Sequence, residues 1–343
     1  MMRKYIPWIL VGALVLGVLF IYPYYTSTFA PSVSIPAGQS NVFYIPAGAS
    51  YDQIANLLLQ QNFITDPKGF DWVAQRMNYP RHIYPGRYTI EDGWSNRELV
   101  TRLRSGKQTP IKYTFVKFRT VEQLAEDAAQ KFDMKEAELL NLLTSPEYLD
   151  DFGLNPQTVI SIFIPNTYEM YWNTSAEDLV KRMYKEYKAF WNPERNEKAK
   201  KLRLTRLEVM TLASIVEEET NQNDEKPRIA GVYLNRIRKR MPLQADPTVK
   251  FAIGDFGLRR ILNKHLEIDS PYNTYKYPGI PPGPICTPSI PSINAVLNEE
   301  KHSYYYFCAK TDTSGYHQFS KTLSEHNQYA KKYHQWLNQS GIR

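Results

Sequence analysis

The sequence predicts an α+β protein: a single N-terminal transmembrane helix, a small α+β module, then a larger mixed α/β region. Three observations carry this. An uncharged apolar run follows a short basic tip. Four capping boxes, the Ser/Thr-x-x-Glu/Gln pattern that satisfies free amides at a helix start, punctuate the chain. Short runs rich in β-branched and aromatic residues lie between them. The length, 343 residues, suits about two domains. With 43 % apolar and 22 % charged residues, usage is that of a globular protein, which excludes wholesale disorder and fibrous repeats.

Arg3 and Lys4 precede a charge-free stretch from Ile6 to Tyr25. Its core, Ile6 to Tyr22, has the length of a bilayer-spanning helix. Trp8 at one end and Tyr22, Tyr24 and Tyr25 at the other suit the two interfaces. The basic tip places the N-terminus in the cytoplasm and everything beyond about residue 25 outside it. A cleaved signal peptide is the alternative, but no Ala-x-Ala site follows and the apolar run is long. Either way the bulk of the chain is exported. Thr26 to Ser40, small, polar and uncharged with Pro31 and Pro36, reads as an extended tether.

Ser50 to Gln53 opens a helix through about Gln61, with Ile54, Leu57 and Leu58 on one face. Ser95 to Glu98 opens a second, ending at Gly106. Thr120 to Gln123 opens a third and Thr205 to Glu208 a fourth. Strands are expected at residues 42–45, 87–90 and 112–115. Asn41 to about Thr109 therefore forms a small α+β module. Its pattern of strand, turn, capping box and Ile54-Ala55 echoes faintly at Tyr113 to Val116, Thr120 and Leu124-Ala125, which reads either as a duplicated small module or as a chance recurrence. From about Ser161, Pro, Gly, Asn and Tyr grow dense, most of all from Pro271 to Pro291. Long irregular segments of that kind carry function.

Several chemistries are excluded. Cys286 and Cys308 are the only cysteines, so neither a disulfide scaffold nor a multi-cysteine zinc site is available, although one disulfide would be. Six histidines without HExxH spacing give no metal site, and no phosphate-binding glycine motif occurs, so no cofactor is expected. The net charge of +7 is scattered and no nucleic-acid module is present, so nucleic acid is not an expected partner.

The fourth helix is the informative one. Leu207 to Val216 is apolar almost all round, as in a buried helix, and runs into Glu217, Glu218 and Glu219. Three carboxylates there are unusual, because burial and the helix dipole both disfavour anions at a C-terminus. At 100° per residue Glu218 falls near Thr211 and Ser214, Glu217 near Ala213 and Ser214, and Glu219 near Leu212 and Ile215. Glu219 thus faces the apolar wall, where desolvation raises a carboxyl pKa and makes a general acid. The competing reading has all three in solvent at a frayed end.

The segment Leu212-Ala-Ser-Ile-Val-Glu217-Glu-Glu219-Thr220 resembles the signature of MltG-type endolytic murein transglycosylases, the YceG-like family. Further motifs follow in family order: Gly231-Val-Tyr-Leu-Asn235-Arg236, Leu243-Gln244-Ala-Asp246-Pro247-Thr248-Val249, Tyr272-Asn273-Thr274-Tyr275, Gly279 to Ile285, Thr287-Pro288, Tyr305-Tyr306-Phe307, His317-Gln-Phe319 and His326-Asn327. Ile164-Pro165-Asn166-Thr167-Tyr168 is similar to the family's Pro-Asp-Thr-Tyr element, with Asn166 in place of Asp. The resemblance implies an anchor and tether (1–25, 26–40), a LysM-like βααβ glycan-binding module (41–110), a connecting helical subdomain (111–160) and a catalytic domain (161–343).

It also implies an activity. Peptidoglycan glycan strands are cut at the MurNAc-β-1,4-GlcNAc bond without water, leaving 1,6-anhydro-MurNAc ends, beside membrane-bound peptidoglycan synthases. Glu219 is the implied acid and base. One carboxylate suffices, because the muramic C6 hydroxyl replaces the second group that an ordinary glycosidase needs. Asp246 is either a second carboxylate, permitting hydrolysis, or a turn residue before Pro247. Gln244, Thr248, Asn273 and Tyr275 suit sugar hydroxyls and acetamides, or else brace turns, and Glu217 is placed to tune Glu219. A hydrolytic muramidase and a non-catalytic glycan-binding scaffold are the alternatives.

Overall fold

The computed structural model describes residues 6–258 and 260–339. The chain forms two compact units. One comprises Met1–Tyr113, Lys131–Asp133 and Glu169–Ser175; the other comprises Thr114–Gln130, Met134–Tyr168 and Ala176–Arg343. Residues 111–160, expected as a connecting subdomain, fall mostly into the second unit. The architecture is α+β: helices joined by short two-stranded ladders.

The first unit begins with α1 (Ile6–Phe29), which continues four residues past the expected end at Tyr25. Among the described residues no helix is long and apolar enough to cross a membrane. The expected span falls largely outside that description, which omits residues 1–5 and the side chains of 6–14, 16 and 20. The expected tether is partly built into the unit. Asn96 donates to the Ser27 carbonyl at 2.9 Å, and Val33 is buried and bridged to Ile64; just before the tether, at the end of the expected anchor, Tyr24 meets Trp72 edge-on at 5.3 Å. Apolar Phe29, Val33 and Ile35 among the small residues supply this grip, which a composition-based reading overlooks.

Next come β1 (Val42–Ile45), α2 (Tyr51–Gln60), α3 (Pro67–Arg76), β2 (Gly86–Thr89) and α4 (Asn96–Arg104). The order is βααβ, with β1 and β2 antiparallel and Phe43 opposite Tyr88. Ser50 and Ser95 make the complete reciprocal capping boxes their spacing predicts. Phe43, Ile45, Ile54, Leu58, Phe70, Tyr79, Tyr88 and Leu99 close one core.

A similar order recurs: β3 (Ile111–Thr114), α5 (Val121–Lys131), α6 (Glu136–Thr144), α7 (Pro146–Asp150) and β4 (Thr167–Met170). Thr114 and Thr167 join hydroxyls at 2.9 Å, and the Phe115 amide donates to the Asn166 carbonyl. The third capping box is looser. Thr120 accepts from the Gln123 amide, but the Gln123 side chain reaches the Arg119 amide.

The remaining elements are α8 (Ala176–Phe190), α9 (Pro193–Leu202), α10 (Arg206–Glu219), α11 (Lys226–Arg238), α12 (Asp246–Ile253), α13 (Ile290–Leu297), the antiparallel hairpin β5 (Tyr306–Ala309) and β6 (His317–Ser320), and α14 (Leu323–Gln339). α10 is the axis of this unit. Thr205 and Glu208 cap it reciprocally, and every residue from Val209 to Val216 is buried, chiefly against α13 and α11. On α11, Gly231 leaves no room for a side chain. A Cβ there would lie 2.4 Å from the Glu300 carbonyl oxygen and 2.6 Å from His302 Nε2. Cys286 and Cys308 are both free, so the disulfide left open by the sequence is not formed.

Candidate active site

The three glutamates ending α10 leave the helix in different directions, as successive residues 100° apart must. Glu217 accepts from Lys226 Nζ at 3.1 Å, from Ser292 Oγ at 2.5 Å, and from the amide and hydroxyl of Ser289. Burial pushes its carboxyl up, but these donors outweigh burial and leave the pKa lowered. Glu218 is bridged by Lys117 at 2.9 Å and Arg119 at 2.8 Å. Burial again opposes ionisation, and the two cations again prevail, lowering its pKa.

Glu219 has no cation bonded to it among the described residues. Its Oε1 accepts from the Tyr233 hydroxyl at 2.5 Å. Its pKa is pushed up to about 7, first by burial; the Tyr233 bond opposes this, the negative charge of Asp246 adds to it, and Lys250, with His317 when that ring is protonated, pulls the other way. The side chain reaches an open cleft of about 560 Å³. Tyr233, Arg236, Gln244, Asp246, Tyr275 and His317 share that lining.

The sequence-derived candidates divide. Asp246 begins α12, and its carboxylate accepts from the Tyr275 hydroxyl at 2.5 Å. Gln244, at a positive φ of 51°, accepts from Arg236 Nη1 at 3.1 Å. These two and Tyr275 stand in the cleft with Glu219. Thr248 and Asn273 do not. Thr248 donates to the Ala245 carbonyl or pairs with the Thr274 hydroxyl, fully buried, and Asn273 spans the Leu266 and Ile268 carbonyls. The Thr248–Thr274 pair, with the Gln244 and Ala245 amides that donate to Thr274, fastens the 244–248 and 273–275 stretches to each other, while Asn273 ties the second stretch to residues 266–268. Asn166 is exposed, outside the cleft lining, and its side-chain Oδ1 accepts from the Thr167 amide, the local turn role an Asn fills as well as an Asp. Glu217, expected to tune Glu219, points instead into the Lys226 and Ser289 cluster. Gly279 to Ile285, one of the motifs shared with the family, is also absent from this cleft lining; the Ile285 amide donates to Ser214 Oγ, back against α10.

Sequence reasoning missed Tyr233, Arg236 and His317 as site residues. Tyr233 and Arg236 lie three apart on α11, one face of a helix. That spacing was visible, but only tertiary packing shows that the face meets Glu219. The Arg236 guanidinium is 7 % exposed and is held by the carbonyls of Tyr305, Pro242 and Leu243. Chemically, the arrangement can hold one proton near neutral pH on a carboxyl that opens onto a cleft, and take a proton back.

A carboxyl so held, among polar groups lining an open cleft, is the equipment of an acid–base enzyme. The sequence model of the YceG-like family matches residues 43–332, and the chain belongs to that family. It is 32 % identical over 305 residues to the endolytic murein transglycosylase of Bacillus subtilis, covering 84 % of this chain and 83 % of that protein. Against the endolytic murein transglycosylase of Streptococcus pneumoniae strain D39 it is 27 % identical over 320 residues, covering 82 % of this chain but 56 % of the relative. A crystal structure of a yceG-like protein from Listeria monocytogenes aligns with a TM-score of 0.57 at 30 % identity, over 84 % of this chain and 97 % of that one.

Proposed function

We propose that this protein is a membrane-anchored endolytic lytic transglycosylase of peptidoglycan, cutting the MurNAc-β-1,4-GlcNAc bond to leave 1,6-anhydro-MurNAc ends. The observation that carries the reading is Glu219: a carboxyl pushed up to about 7 by burial, in a cleft, with a tyrosine hydroxyl to orient it. Family membership and the names of the relatives support the substrate class.

Protonated Glu219 gives its proton to the glycosidic oxygen as positive charge develops at C1. The C6 hydroxyl of the same muramic residue then closes on C1 and loses its proton to a base lining the cleft. Asp246 and Tyr275, tied to each other, supply acceptor and donor oxygens for sugar groups, and Gln244 adds an amide. The βααβ module is LysM-like in this reading and holds glycan. Its concave surface along Pro46, Gly48, Gln53, Asn56 and Gln60 is the place for it. α1 crosses the inner membrane with its N-terminus in the cytoplasm, so cleavage falls on strands near the membrane-bound synthases and ends their elongation.

The test is digestion of purified sacculi followed by mass analysis of the new ends. Anhydro ends, lost in Glu219→Gln, are expected. Reducing ends would replace this reading with hydrolysis, for which Asp246 is the second carboxylate. Cleavage surviving Glu219→Gln at near wild-type rate removes Glu219 from the chemistry.

A further inference from the structure

Glu225 occupies the N-cap position of α11 but makes no side-chain cap to that helix. The residue is 4 % exposed, and its carboxylate turns to His317 of β6 instead. One oxygen accepts from the His317 amide at 2.8 Å and the other engages His317 Nδ1 at 2.7 Å. A carboxylate has only acceptors to offer, so the proton between them sits on Nδ1. The positive end of the α11 dipole favours the negative charge of Glu225 at this spot. The imidazole is packed as well, its ring centre 5.2 Å from that of Phe307 in a T-shaped contact. His317 begins β6 in register opposite Ala309, and His317, Phe307, Ala309 and Glu219 all line the cleft. With Nδ1 committed, Nε2 has no hydrogen-bond partner among the described residues.

Glu219 is more constrained than a lone acid and base should be. Tyr233 occupies Oε1, so Oε2 alone would have to protonate the leaving oxygen and then deprotonate the attacking hydroxyl. We propose that His317 is the base of ring closure: Nε2 takes the C6 hydroxyl proton while Glu219 acts only as the acid, and Glu225 is the positioning residue that fixes the tautomer and aim of the ring. This rests on the transglycosylase reading above.

The step balances. The bond from C1 to the bridging oxygen breaks, and that oxygen takes the proton of Glu219. The C6 oxygen bonds to C1, and its proton passes to Nε2. A neutral carboxyl and a neutral imidazole become carboxylate and imidazolium. Return of the proton from Nε2 to Glu219 across the cleft restores both, and no oxidant, reductant or co-reactant is consumed.

The experiment uses the full-length protein on sacculi, counting anhydro ends. For His317→Ala the expected result is a loss of kcat on the order of 10²-fold at unchanged KM, partly restored by added imidazole. Glu225→Gln should lose about tenfold in kcat, again at unchanged KM, because a misdirected base still reacts. His317→Gln, which keeps a donor for Glu225, guards against simple misfolding and should be as impaired as His317→Ala. The proposal is overturned if folded His317→Gln stays within threefold of wild type, or if imidazole restores nothing to His317→Ala. Absence of anhydro ends from the wild-type protein, or normal cutting by Glu219→Gln, would instead sink the underlying reading.

Discussion

Glu217 and Glu219 stand two residues apart on α10, yet the regions they enter are opposites. Glu217 meets a lysine and two serines, all satisfied and closed, with Lys226 3 % exposed. Glu219 meets one tyrosine hydroxyl and an opening. Both are desolvated. What separates them is whether compensating donors were supplied. Where they were, the carboxylate is locked as an anion and serves as a peg joining α10 to α11 and α13. Where they were not, the proton stays until near-neutral pH and is available to give away. Burial alone therefore does not make an acid; burial without a cation does.

The largest effect that sharpens this contrast is on activity. Glu219→Gln should lower transglycosylation by about 10³-fold or more, as loss of a general acid does, with the fold intact by circular dichroism. The same substitution should stabilise the protein at alkaline pH. The folded pKa of Glu219, about 7, lies above the ordinary value of 4.5, so the native state binds the extra proton and wild-type stability falls as pH rises from about 4.5 to 7. Glutamine, always neutral, escapes that fall. Denaturant titrations should therefore show no gap at pH 4 and one on the order of 3 kcal/mol in favour of the variant at pH 8. Equal stabilities at pH 8 would show that ionising Glu219 costs the fold nothing.

Glu217→Ala is the converse. It strands the ammonium of Lys226 in the interior and should cost about 3–5 kcal/mol, read as a drop in melting temperature. Activity per folded molecule should stay near wild type; a selective loss of kcat would erase the distinction between the two regions. Tyr233→Phe is subtler. The hydroxyl stabilises the ionised form of Glu219, so its removal should raise the acid's pKa and move the alkaline limb of the rate profile up by about one pH unit or less. A downward move would reverse the assigned role of the hydrogen bond. Arg119→Gln should be smallest. Arg119 is a third exposed and Glu218 keeps Lys117, so about 1 kcal/mol is expected.

Much of the local structure could be read from the chain. The boxes at Ser50, Ser95 and Thr205 are written within four residues each, and the amides they satisfy are adjacent in sequence. Helical angle alone separated Glu219 from Glu217 and Glu218. What could not be read is everything that depends on elements distant in sequence. The partners of Glu217 come from Lys226 and from Ser289 and Ser292, those of Glu218 from Lys117 and Arg119, and the bond to Glu225 comes from His317. Thr248 and Asn273 resembled sugar-binding groups because residue type does not say whether an amide or hydroxyl faces a ligand or a backbone carbonyl. Asp246 next to Pro247 looked like a turn, and its helix-opening place opposite Tyr275 depends on the buried threonine pair that ties the two stretches.

The bare α-carbon at Gly231 has a reach beyond its own surroundings. It allows one helix to rest flush against the 300–302 backbone, and two residues further along the same rod comes the phenol that grips the proton donor. A single methyl group placed there would have to wedge that rod outward, loosening the grip on Glu219 from the far side of the helix without touching the cleft. The spacing at the reacting centre is thus set partly by an absence of atoms somewhere substrate never goes.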